Sequence, residues 1–173
     1  MKIRQGFVSN SSSSSFVILY ENDTFKSWKD IKGAIERKCD DYNDGIVTSY
    51  GRKIDVNDVA KTLMMELDSK IESLNRIDGD EHDNLINAVT EKLTDSVDYN
   101  DIIGPDEDWS KWDDFCDSCR DDAIKDTKVL SESHPGKTPI HFEFSDDTPI
   151  GCFLEHSDVI SDIFDVVSKR SNH

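Results

Sequence analysis

The residues best equipped for chemistry gather toward the C-terminal end: His141, Glu143, Glu155 and His156, with Asp146 and Asp147 between them. A histidine beside carboxylates serves as a general base or a metal ligand, and the same grouping also makes an ordinary solvated cross-strand contact. The alternation of Ile140-His141-Phe142-Glu143-Phe144 puts His141 and Glu143 on the face opposite Phe142 and Phe144, so this strand has one polar side. Cys116-Asp117-Ser118-Cys119 is the other chemically suggestive group. A C-x-x-C is half of a zinc site and needs two converging ligands. The sequence has no second C-x-x-C and no His-x(3-5)-His, so zinc would draw on distant residues such as His141 and His156, with His134 and Cys152 also available. Helical spacing with Trp112 places both cysteines on an apolar side, where reduced thiols pack as small hydrophobes. No β-α-β pattern surrounds them to mark a redox pair.

Other chemistries are excluded by spacing. Around Gly45 an EF-hand loop would start at Asp40 but place Tyr42 and Gly51 at ligand positions, and around Gly79 it would start at Leu74. Gly-x(4)-Gly-Lys-Ser/Thr, Gly-x-Gly-x-x-Gly and Gly-x-Ser-x-Gly are all absent, so neither nucleotide binding nor serine hydrolysis has motif support. The stretch from Asp106 to Asp122 holds eight acids against Lys111 and Arg120. On a helix, Asp113, Asp117 and Asp121 form an i, i+4 ladder with carboxylates about 6 Å apart, a spacing that resembles the phosphates of a nucleic-acid strand. Such a ladder suits a basic groove; it is also what a solvated acidic face looks like.

Gly6-Phe7-Val8-Ser9-Asn10 runs into five serines, Ser11 to Ser15, and then into Phe16-Val17-Ile18-Leu19-Tyr20. A serine homopolymer has little to bury and is ordinarily a tail, a tag or a modification target. Here Phe7, Val8 and Phe16 flank it, and apolar anchors are what a partner's groove holds, so Phe7, Val8, Ser9, Asn10, Ser11 and Phe16 are candidate contact residues. The opening, over residues 1–17, resembles that of small uncharacterised proteins encoded by bacteriophages and prophages. The pairing of Phe144-Ser145-Asp146 with Glu155-His156 is similar to a C-terminal pattern in the same proteins. The resemblance implies a viral accessory protein and carries no reaction with it.

These residues need elements to hold them. Phe16 to Tyr20 reads as a buried strand closed by Glu21-Asn22-Asp23. Trp28, Ile31, Ile35 and Cys39 recur at helical spacing behind Ser27 as N-cap, with Gly45 beyond the end. Asp55 caps a longer helix whose stripe is Val56, Val59, Leu63, Leu67, Ile71 and Leu74, with Gly79 as its stop. A shorter helix carries Leu85 or Ile86, Val89, Leu93 and Val97, and the two are expected to pair antiparallel across Asp78-Gly79-Asp80. Pro105 is expected near the first turn of a third helix with Trp109, Trp112, Cys116, Cys119 and Ala123 on one face. The alternating strand from Ile140 to Phe144, a turn at Ser145–Pro149, a returning strand from Ile150 to Glu155, and a last helix from Ser157 burying Ile160, Ile163, Phe164 and Val167 complete the reading.

The expected class is therefore α+β: a small antiparallel sheet, built from the N-terminal strand and a C-terminal hairpin, packed with four to five helices on one side. The 173 residues suit one domain, read as a Ser-rich motif over 1–15 and an acidic domain over 16–173. The net charge of -17 is lopsided: residues 1–40 contribute +2 and the rest -19. That field repels nucleic acid and anionic membranes and favours a basic partner or plain solubility. Met1-Lys2-Ile3-Arg4 is basic, but polyserine interrupts any apolar core of a secretory leader. The expected compartment is the bacterial cytoplasm, with virion association as a further location, and the four cysteines are expected reduced. The expected function is protein binding by a phage accessory protein without catalysis or cofactor. Alternatives are an acidic nucleic-acid mimic that blocks a host defence or transcription protein, and a metal-dependent enzyme that uses the C-terminal histidines.

Overall fold

The computed structural model describes residues 13–39, 42–49, 51–76 and 80–172. The first strand, β1 (Ser13–Glu21), starts inside the serine run and forms the middle of a three-stranded antiparallel sheet, between β5 (Lys137–Ser145) and β6 (Asp165–Asn172). The registers Phe16↔Phe142 and Phe16↔Lys169 fix the rows, with an irregularity in the β6 ladder between Val17 and Ile18. Period-two alternation does the sorting. Phe16, Ile18, Tyr20, Ile140, Phe142 and Phe144 enter the main core, whereas Val17 turns to the opposite face and packs with Leu85 and Ala88.

The main core is closed by α1 (Trp28–Lys38) and α2 (Val56–Leu74). The Asp30 carboxylate accepts hydrogen bonds from the backbone N–H and hydroxyl of Ser27, fixing the start of α1. Asp55 caps α2 by accepting from the Asn57 N–H at 2.7 Å. Val56, Val59, Ala60, Leu63 and Leu67 are fully buried along one stripe. Gly79 and Asp78 lie outside the described residues. Between α1 and α2 is a second small sheet, β2 (Tyr42–Asn43), β3 (Ile46–Ser49) and β4 (Arg52–Asp55), which periodicity had not disclosed. Its signal was Asp44-Gly45, both at positive φ (46° and 90°), the backbone that a two-residue hairpin turn requires.

The other face of the main sheet is covered as well, by α3 (Glu81–Asp95) and α5 (Trp109–Ser133), so helices lie on both sides instead of one. The chief partner of α3 is α5, not α2 as its position after the turn suggested. A short helix, α4 (Tyr99–Ile103), precedes α5. Asp108 caps α5 by accepting from the backbone N–H and hydroxyl of Ser110, so the helix starts at Trp109 and Pro105 stands just before the cap. Helix α5 also runs through Lys128–Ser131, for 25 residues in all.

Two C-terminal expectations fail. Ile150 to Glu155 is not a returning strand: Pro149–His156 is helix α6, with Pro149 at its first turn and Thr148 accepting from the Gly151 N–H at 2.9 Å. A side chain at Gly151 would meet the Ser145 carbonyl oxygen at 2.2 Å, so only glycine lets α6 start this close to the end of β5. The last helix is the short α7 (Val159–Ile163), which buries Val159, Ile160 and Ile163; the chain then becomes β6, leaving Val167 exposed. The class is α+β, with seven helices and two three-stranded antiparallel sheets among the described residues.

Candidate functional site

Because Ser15, His141 and Glu143 sit on the face of the sheet that looks away from Phe16 and Phe142, they face the helices of the second layer. Ser15 pairs with Glu143 on one side and with Arg170 on the other, so one row across three strands carries an acid, a hydroxyl and a guanidinium. Lys70 and Glu66 of α2 and Asn84, Asn87 and Glu91 of α3 close over that row to make a polar cleft of about 430 Å³.

His141 is 8% exposed. Its Nε2 lies 2.9 Å from the Ser15 hydroxyl, and its Nδ1 is buried without a hydrogen-bond partner. Burial, and then the nearby Lys70 ammonium, pull its pKa down from 6.5 to about 4, so the ring is neutral at pH 7. Lys70 Nζ donates to Glu81 Oε2 at 2.9 Å, and Glu81 is 2% exposed. Arg170 is held by Glu91 and Asp95. Ser14, next in the serine run, is buried and its hydroxyl lies 3.0 Å from that of Ser171. The serine run therefore supplies structural hydroxyls to the middle of the sheet.

A neutral imidazole against a hydroxyl is the first part of a nucleophile–base pair. Among the described residues His141 Nδ1 has no carboxylate to orient it. The ladders of β1 pair it with strands on both sides, and the donors that line the cleft are the side chains of Lys70, Asn84, Asn87 and Arg170. The arrangement is a polar cleft with a hydroxyl–imidazole pair in its lining.

The remaining candidates are scattered. Phe7, Val8, Ser9, Asn10 and Ser11 lie outside the described residues. Phe16 has no exposed surface and belongs to the main core, so it is no anchor for a partner. Cys116 is half-buried and Cys119 buried on the inner side of α5. Burial, with Cys116 and Asp122 nearby, holds the Cys119 thiol above its ordinary pKa, the opposite of an activated thiolate. His156 lies on α6 with Nε2 3.5 Å from Glu155, a buried carboxylate neither of whose oxygens is hydrogen-bonded. Among the described residues no group of three or more His, Cys, Asp or Glu is gathered closely enough to hold a metal ion, so Cys116, Cys119, His141 and His156 do not converge.

The acidic ladder is different. Asp113, Asp117 and Asp121 are all exposed on the outer face of α5, and none makes an ion pair or hydrogen bond among the described residues. The neighbouring cations are already engaged: Arg120 with Asn87 and Asp83, Lys125 with Asp122, Lys111 with Asp108 and Lys128 with Glu132. At the start of α5, Trp109 was expected inside with Trp112. It is 56% exposed at the first helical position, and its ring stacks on the exposed Tyr99 of α4. No helix among the described residues is long and apolar enough to cross a membrane. No protein-family model, curated protein or solved structure matches the chain.

Proposed function

We propose that this protein acts by binding a protein partner with a basic surface, as a bacteriophage accessory protein in the host cytoplasm or the virion, and that the outer face of α5 supplies the contact. The observation that carries the reading is the ladder of Asp113, Asp117 and Asp121, exposed and without an ion pair among the described residues, while the cations around it are bonded to other acids and Lys125, paired with Asp122, also lies in the field of Asp121. Carboxylates fixed on one rigid helix need little ordering on association, and like charges held one turn apart are relieved when a cationic surface covers them. The opening Gly6-Phe7-Val8-Ser9-Asn10 and its serine run support the viral context. The one-turn spacing also favours a narrower form of this reading, in which the ladder imitates nucleic-acid phosphates and the partner is a host defence or transcription protein.

The experiment is affinity capture by the full chain, by Asp113→Asn/Asp117→Asn/Asp121→Asn, and by a form lacking residues 1–12, which stops short of β1. A basic partner captured by the full chain at low salt, released by about 0.5 M NaCl and lost with the triple variant supports the proposal. A partner retained by the triple variant and indifferent to salt overturns it. Displacement of the partner by duplex DNA selects the mimic form. Loss on removing residues 1–12 alone moves recognition to the N-terminal motif.

A further inference from the structure

Tyr99 and Trp109 are both large, both about half exposed, and next to each other, which burial does not explain. Their rings stack at 5.9 Å with an interplanar angle of 16°, and Trp112 meets Tyr99 edge-on at 6.4 Å and 82°. The Tyr99 ring stands between two hollows. One, of about 550 Å³, lies between Trp112 and the Asp95–Asp98 segment; the other, of about 440 Å³, lies between Trp109 and Glu107. From Asp95 to Ser110 the chain carries six acids and no lysine or arginine.

We propose that this aromatic step receives an arginine side chain from a basic segment of the partner, the guanidinium lying over the Tyr99 or Trp109 face and the carboxylates of Asp98 or Glu107, which line the two hollows, taking its charge. Aromatic faces attract cations through their quadrupole, arginine is the commonest occupant because its plane also stacks, and acids at the rim add the charge complement. The chain itself shows the pairing elsewhere: Trp28 has Lys61 Nζ 5.3 Å and Lys29 Nζ 5.9 Å from its ring centroid. Among the described residues Trp109 has no such cation, so none of the described lysines fills the role. A second copy of this chain is a poor occupant, since the same acidic segment would face itself in a molecule of net charge -17.

The inference rests on the protein-binding reading and places its anchor at the N-terminal end of α5. The test is a titration of the full chain with acetyl-(Gly-Arg)3-amide and with the isosteric citrulline peptide, followed by the indole N–H resonances of the three tryptophans. The expected result is saturable movement of the Trp109 and Trp112 resonances, little movement of Trp28, no saturation with citrulline, and binding about tenfold weaker in Trp109→Ala. Trp109 is exposed enough for that variant to fold, and Trp109→Phe, which keeps an aromatic face, is expected to restore most of the affinity. Equal binding of the citrulline peptide, or unchanged affinity in Trp109→Ala, overturns the inference. So does self-association of the chain that Trp109→Ala abolishes. A partner whose capture needs Asp113, Asp117 and Asp121 but tolerates Trp109→Ala removes this anchor and leaves the proposed function standing; arginine binding at Trp109 with no partner dependent on the ladder does the reverse.

Discussion

His141 carries the clearest pH consequence in the molecule. Its folded pKa of about 4 lies below the unfolded value of 6.5, because burial and Lys70 disfavour the imidazolium, so the unfolded chain takes up a proton before the folded one does. The associated stability is present above pH 6.5 and is lost as pH falls from 6.5 to 4. A shift of this size is worth about 3 kcal/mol. His141→Leu removes the titration and keeps an apolar ring-sized volume, while the exposed side of Ser15 can turn to water. Urea unfolding of both proteins at pH 7 and pH 4.5 is expected to show the wild type losing about 2 kcal/mol more than the variant across that interval. Equal losses would mean that His141 is not held neutral by the fold.

Helices α2 and α3 are tied by one buried ion pair. Lys70 is a fifth exposed and Glu81 almost not at all, and Glu81 Oε1 has no hydrogen-bond partner among the described residues, so the pair is only partly satisfied. Removing one member strands the other: Lys70→Met leaves a buried carboxylate and is expected to cost about 3 kcal/mol by urea titration. The double variant Lys70→Met/Glu81→Leu removes both desolvated charges and is expected to recover most of that loss. Failure of the second change to rescue the first would show that the pair contributes net stability to the packing of α3 over the sheet. Loss of the Lys70 charge is also expected to raise the His141 pKa, visible in the imidazole resonances, because the two groups already sense each other.

The distribution of charge over the whole chain makes salt a stabiliser. Thirty-seven acids against twenty bases leave the folded state under self-repulsion, most of it outside residues 1–40. Raising NaCl from about 20 mM to 300 mM screens that repulsion and is expected to raise Tm by about 3 °C. A Tm that falls with salt would mean that pairs such as Arg170 with Glu91 and Asp95 outweigh the net repulsion. The same screening weakens capture of a basic partner, so stability and binding should move in opposite directions with ionic strength.

By itself the sequence determined what repeats locally. The stripe of α2, the strand from Phe16, the alternation of β5 and the side on which His141 and Glu143 stand were all readable, because a period of two or 3.6 reports which side of an element is buried. Ser145 to Pro149 was read as a turn and Ile150 to Glu155 as a strand, because a short apolar run satisfies a strand pattern as well as a helical one, and the packing of Phe153 and Leu154 into the main core decides for a helix. Tertiary structure alone decided who faces whom. Nothing local says that Ser15 has Glu143 on one side and Arg170 on the other, or that Lys70 reaches the vicinity of His141. Those partners are set by β1 closing between two strands from the far end of the chain, a choice made by the burial of Phe16, Ile18 and Phe142 together, which brings the polar cleft into being on the opposite face.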